Sequence, residues 1–123
     1  MNIGIKGTKG EQQAVKYLKK NKYKIICRNY QTRFGEIDII ASKKDVLAFC
    51  EVKTRAPDAM VSGRESVDIN KQKRIIKTAL DYISKFNADL QPRFDVLEIN
   101  IDSKTPEVQH IKNAFEVNDF DYF

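Results

Sequence analysis

Gly35-Glu36-Ile37-Asp38-Ile39-Ile40 and, one turn later, Glu51-Val52-Lys53 are the segments from which the rest of the chain can be read. In both, apolar residues alternate with or flank the charges, which is the pattern of a strand. Ser42-Lys43-Lys44-Asp45 between them is short and polar, as a hairpin turn requires. With Lys44 and Asp45 as the central turn residues, Lys43 faces Val46. Counting outward sets Asp38 opposite Glu51 and Glu36 opposite Lys53. Directly opposed side chains share one face, with Cβ atoms about 4.5–5.5 Å apart. Two carboxylates therefore meet on a sheet otherwise made of Ile, Val, Leu and Phe, where they repel and lose solvation. A divalent cation between them removes both penalties. Oxygen ligands suit Mg²⁺ or Mn²⁺, ions that also bind phosphates. The plainer alternatives are an ordinary Glu36–Lys53 cross-strand ion pair, a solvated face carrying Asp38 and Glu51, or a register displaced by one.

The 123 residues are expected to form one domain, long enough for a single core without staples. Their 22 basic against 17 acidic side chains leave a net charge of +5, which favours polyanions such as nucleic acid. Glu116 to Phe123 is acidic, so the remainder is more basic than the total. Cys27 and Cys50 lie in apolar strand patterns without CxxC spacing and read as buried free thiols of a reduced compartment. His110, the single histidine, argues against a histidine-rich zinc site. The start of the chain lacks the apolar run of a signal peptide, and no stretch approaches the roughly 20 apolar residues of a membrane span. A cytoplasmic location is expected.

Around the hairpin the other elements fall into order. A first helix runs from about Thr8 to Lys20, with Thr8 and Glu11 spaced as a capping box, Ala14, Val15 and Leu18 as its apolar stripe, and Asn21 as its stop. Tyr23 to Tyr30 reads as a strand, Gln31 to Gly35 as a turn, and Val46 to Thr54 as a central strand buried on both faces. Arg55 to Ser66 reads as a loop. A second helix begins after Asp68 as N-cap and ends near Phe86, with Ile69, Ile76, Leu80 and Ile83 on its stripe, widened by Ala79 and Phe86. Lys71, Lys73, Arg74 and Lys77 crowd its first turns, where cations oppose the helix dipole; a phosphate contact and a merely solvated face both account for them. Arg93 to Ile101 and Val108 to Lys112 complete the strands. The expectation is an α/β fold in the order α-β-β-β-α-β-β, a mixed sheet flanked by helices, with the fourth strand parallel to an earlier one.

These blocks together resemble the YraN-like family of bacterial proteins, a branch of the PD-(D/E)XK nuclease superfamily close to Holliday-junction resolvases. The resemblance rests on Gly7-x-x-Gly10-Glu11, Arg28-Asn29-Tyr30, Gly35-Glu36-Ile37-Asp38, Phe49 to Arg55, Lys71 to Ile75, Arg93-Phe94-Asp95-Val96 and Asn113-Ala114-Phe115, in that order along most of the chain. The proline of the superfamily motif is replaced by Ile37. The resemblance implies a restriction-endonuclease-like sheet and hydrolysis of DNA phosphodiester bonds, with structure-selective cleavage of branched DNA as one form. A nucleic-acid-binding or scaffold protein of the same fold without catalysis is the alternative.

By the same resemblance Asp38, Glu51 and Lys53 form the catalytic signature. Asp38 and Glu51 would bind Mg²⁺ or Mn²⁺, and Glu11 on the first helix would hold a second metal or an outer water, against its plainer role in the capping box. Lys53 would stand near the attacking water. Arg55 continues the Glu51–Lys53 alternation onto the same face and suits a phosphate oxygen, or else an ion pair at the strand end. Arg55, Arg64, Lys71 and Arg74 are the expected nucleic-acid contacts. Arg93 and Asp95 read as structural. DNA is the expected partner, RNA stays open, no membrane is expected, and a homodimer is left open.

Overall fold

Lys43 pairs with Val46 across a turn in which Lys44 takes a φ of 55°, the left-handed conformation that tight hairpin turns demand. The hairpin turns where the sequence places it, and the register that follows is the one counted outward from that turn. The structure, a computed structural model, describes residues 9–55, 67–86, 88–101 and 104–117.

The elements are α1 (Lys9–Lys20), β1 (Lys24–Thr32), β2 (Gly35–Lys43), β3 (Val46–Arg55), α2 (Ile69–Phe86), β4 (Gln91–Asn100) and β5 (Glu107–Phe115). This is the expected order. The five strands lie side by side in chain order, β1-β2-β3-β4-β5. All neighbours are antiparallel except β3 and β4, which the α2 crossover makes parallel. β3 is central, and Leu47 to Cys50 are buried, as its unbroken apolar run requires.

Each face of the sheet carries one helix and one core. Under α1, Ala14 and Leu18 pack with Tyr23, Ile39, Ala41, Ala48, Cys50, Leu97 and Ile99. Under α2, Ile75, Ile76, Ala79 and Tyr82 pack with Ile37, Ile40, Leu47, Phe49, Phe94, Val96 and Phe115. Phe49 anchors the second core, its ring 5.7 Å from Phe94 and 6.0 Å from Tyr82. Burying such a side chain contributes about 1.5–3 kcal/mol.

Both helices end as their sequences suggest. Lys22 (φ 73°) follows the Asn21 stop, Tyr23 N–H donates to Leu18 C=O at 2.9 Å and Lys22 N–H to Lys19 C=O at 3.0 Å, the paired bonds of a Schellman motif. Asp68 caps α2, its Oδ1 accepting the Lys71 N–H at 2.8 Å. Thr8 of the expected capping box and Arg55–Ser66, beyond Arg55 itself, lie outside the described residues, Val67 being the first described after them.

Three expectations need correction. β1 runs on to Thr32, so the Gln31–Gly35 turn shrinks to Arg33 and Phe34. β5 is nine residues long, not five. The apolar stripe of α2 is rotated: Ile69, Leu80 and Phe86 are 60%, 39% and 59% exposed, while Gln72, Ile75, Ile76, Thr78, Ala79 and Tyr82 are buried. Gln72 and Thr78 tolerate burial because they are hydrogen-bonded, Gln72 Nε2 to Val67 C=O at 2.8 Å and Thr78 Oγ1 to Arg74 C=O at 2.7 Å. Among the described residues no helix is long and apolar enough to cross a membrane.

Candidate functional site

The β2–β3 ladder stops short. Its pairs run from Lys43–Val46 to Ile39–Cys50 and no further. Beyond that point β2 continues beside β1 alone, through Ile37–Tyr30 to Gly35–Thr32, and β3 continues beside β4 alone, through Glu51–Val96 to Arg55–Asn100. The strands part where the count sets Asp38 next to Glu51. Asp38 takes over from the ladder, its Oδ2 accepting the Val52 N–H at 2.8 Å. A polar side chain thus satisfies a donor that the missing strand pair would have left bare. Gly35 sits at the far end of the parted segment with φ 156°, and a Cβ there would meet Arg74 Cβ at 3.3 Å and Thr78 Oγ1 at 3.4 Å. The glycine lets α2 pass close over the β1–β2 turn.

The side chains at the parting form one electrostatic group. Glu51 is 4% exposed, and its Oε2 lies 2.5 Å from Lys71 Nζ and 3.6 Å from Lys53 Nζ. Asp38 is half-buried, and burial above all, then the Glu51 charge, pushes its pKa up to about 7; the Val52 N–H pulls the other way, and Glu11 adds a smaller upward push. Burial lowers the Lys71 pKa, but the Glu51 carboxylate outweighs it and the net direction is upward. The register expected for the hairpin holds as far as its last pair, whereas Glu36 and Lys53 fall beyond it and are not ladder partners.

The remaining expected residues are placed as follows. Glu11 lies in the first turn of α1 with Oε1 4.0 Å from Arg28 Nη2, near enough to act on Asp38. Among the described residues no three or more His, Cys, Asp or Glu side chains cluster closely enough to hold a metal together. The described residues offer the Asp38–Glu51 carboxylate pair rather than a closed cage. Arg55 Nε lies 3.9 Å from Glu98 Oε2. Arg74 is exposed on α2 above Gly35. Arg64 lies outside the described residues.

Residues 10–99 match the family described as "Uncharacterised protein family UPF0102". The chain belongs to the UPF0102 family. A UPF0102 protein of Desulfosudis oleivorans is 44% identical over 113 residues, covering 91% of this chain and 90% of the relative. Those of Geobacter metallireducens (42%; 90% of this chain, 92% of the relative) and Persephonella marina (41%; 93% and 96%) are similar over comparable lengths. The UPF0102 match takes in Glu11, Asp38, Glu51, Lys53, Arg55, Lys71 and Arg74.

Two further acids of this UPF0102 chain are fully buried. Asp95, wholly buried, accepts from Arg93 Nε at 2.9 Å and Nη2 at 2.7 Å and from Asn113 N–H at 3.1 Å, and His110 Nε2 lies 2.7 Å away. Burial raises the Asp95 pKa, but the His110 and Arg93 bonds outweigh it and hold the carboxyl below its ordinary value. Tyr23 and Tyr17 extend the group through Arg93 and His110, tying α1 to β4 and β5, in keeping with the structural reading of Arg93 and Asp95. The second is Glu98, fully buried on β4. Its only signal in the sequence is an acid inside the apolar run Val96-Leu97-Glu98-Ile99.

Proposed function

We propose that the protein is a divalent-cation-dependent nuclease of the PD-(D/E)XK type that its motifs resemble, hydrolysing DNA phosphodiester bonds. The observation that carries this reading is the meeting of Asp38 and Glu51 where β2 and β3 part, with Asp38 held at a pKa of about 7 by burial and by its neighbour's charge. Such a pair relaxes when it takes up a proton or a cation.

The donor set suits Mg²⁺ or Mn²⁺. Mg²⁺ in particular is commonly held by one or two carboxylates while keeping waters and substrate phosphates in its remaining positions. Asp38 and Glu51 would be its protein ligands, with Glu11 acting at longer range. When bound, such an ion polarises the scissile phosphate and lowers the pKa of water. Lys53, on the same face as Glu51, would orient the attacking water or donate to the phosphoryl oxygens as charge builds on them. Arg55, Lys71 and Arg74 would contact non-bridging oxygens along the backbone, with Arg64 as a further contact.

One observation favours the non-catalytic alternative. Lys71 and Lys53 already neutralise Glu51 from within the chain, so a DNA-binding protein of this fold has its charges balanced without a metal. Incubation with branched, nicked, single-stranded and duplex DNA, and with RNA, in Mg²⁺, Mn²⁺ or EDTA separates the two. The nuclease reading expects cleavage that requires the cation and is lost in Asp38→Ala. Binding without cleavage in every arm selects the non-catalytic reading, and neither binding nor cleavage overturns both.

A further inference from the structure

Glu98 is a carboxylate where the fold calls for an apolar side chain. On β4, Phe94 and Val96 point into the core beneath α2, and Glu98 follows them at the two-residue period of a strand. The parallel register pairs Phe49 with Phe94, Glu51 with Val96, Lys53 with Glu98 and Arg55 with Asn100. Glu98 therefore shares a face with Glu51, Lys53 and Arg55, one strand over. It is 0% exposed, and neither carboxylate oxygen has a hydrogen-bond partner among the described residues. The cation found near it is Arg55, whose Nε lies 3.9 Å from Oε2 and is itself buried without a hydrogen bond. A buried carboxylate so poorly compensated costs stability. Unsatisfied buried groups of this kind call for an explanation outside packing.

Arg55 supplies one. It is the last residue of β3, where a long side chain is ordinarily free to sweep. The Glu98 carboxyl lies on its Nε side. No hydrogen bond joins the terminal guanidinium nitrogens to a described residue, and they are the atoms that grip a phosphate with two parallel bonds. We infer that Glu98 is a positioning residue that holds the Arg55 guanidinium at the carboxylate site, ready for a phosphate of bound nucleic acid. This rests on the proposed function. It adds a residue that neither the motif nor the family match assigns to the site.

Charge counting and positioning predict opposite signs. Removing a negative charge near a polyanion site should tighten binding, whereas releasing Arg55 should weaken it. The test is the affinity of a labelled 20-base-pair duplex in EDTA, with its salt dependence, for the wild type, Arg55→Ala, Glu98→Gln, the double variant and Glu98→Asp. Positioning predicts that Arg55→Ala weakens binding about tenfold, as loss of one charge-assisted contact does. Glu98→Gln should lose most of the same factor with an unchanged or higher melting temperature. The double variant should be no weaker than Arg55→Ala alone. Both single variants should flatten the salt slope by about 0.9, one phosphate contact's worth. Glu98→Asp, which keeps the charge, should recover part of the affinity. The inference is overturned if Glu98→Gln binds as well as or better than the wild type, if the two losses multiply, or if Glu98→Gln fails to fold, since the carboxylate is then structural. Wild-type protein that binds no duplex or other nucleic acid overturns the proposed function instead.

Discussion

Lys71 Nζ lies 2.5 Å from Glu51 Oε2, on the very carboxylate that would ligate a metal. The lysine stands in the first turn of α2, the positive end of the helix dipole, where a cation is disfavoured unless an anion holds it. Glu51 is that anion.

A cation entering between Asp38 and Glu51 must therefore displace an ammonium. Mn²⁺ at 100 times its Kd should stabilise the wild type by about 2.7 kcal/mol through linkage. Lys71→Met should bind Mn²⁺ more tightly, and Asp38→Ala should lose most of the effect. Calorimetric titration and melting with Mn²⁺ alone check this. A melting temperature indifferent to Mn²⁺ in all three proteins removes the metal site.

Lys53 should matter to cleavage and little to ground-state binding. Lys53→Ala is expected to abolish single-turnover cleavage while leaving Mn²⁺ and DNA affinity nearly intact, the mark of an interaction made in the transition state. Lys53→Arg should not rescue it, because a guanidinium is planar and stays charged. If Lys53 serves only its ion pair with Glu51, the alanine variant loses stability instead and arginine restores it.

Asp38 should impose a pH dependence on stability. Its folded pKa, about 7, exceeds its unfolded value near 3.8, so between those values the folded state binds more protons than the unfolded. Stability from this group is thus full below about pH 4 and lost as pH rises towards 7, levelling off above. Asp38→Asn keeps an oxygen for the Val52 N–H and has no such titration. In EDTA, the stability of Asp38→Asn relative to wild type should rise between pH 4 and 7 by on the order of 1–2 kcal/mol, with the shift discounted for solvent screening. Denaturant melts across that range read it, and parallel curves would show that Asp38 is not perturbed.

Gly35→Ala should destabilise the protein by about 1–3 kcal/mol, since φ 156° strains an L-residue and the new methyl meets Arg74 and Thr78 on α2. Chemical denaturation measures it. An alanine variant as stable as wild type would mean that α2 yields at this point.

The hairpin register was legible because period-two alternation and a short polar turn leave few ways to pair Lys43 with Val46. The order of elements followed from the same patterns. The parting of β2 from β3 was not legible, because a carboxylate substitutes for a backbone partner at Val52 and no propensity encodes that exchange. The buried face of α2 departs from its apolar pattern because burial of Gln72 and Thr78 depends on hydrogen bonds that hydrophobicity does not register. Lys71 stood out as a cation at the wrong end of a helix, but its carboxylate partner emerges only when α2 crosses the sheet. Glu98 was hidden for a related reason: the sequence shows it only as an acid interrupting an apolar run, and its complete burial is a property of the assembled sheet.

The Val52 amide is hydrogen-bonded to a titrating side chain instead of to a neighbouring strand. Its proton resonance should therefore act as a gauge within the site. It should move as Asp38 gains or loses charge, and again when an ion arrives, while the ladder amides of Leu47 to Cys50 stay still. In a ¹⁵N-labelled sample that single peak offers a way to follow site occupancy without substrate, turnover or mutation.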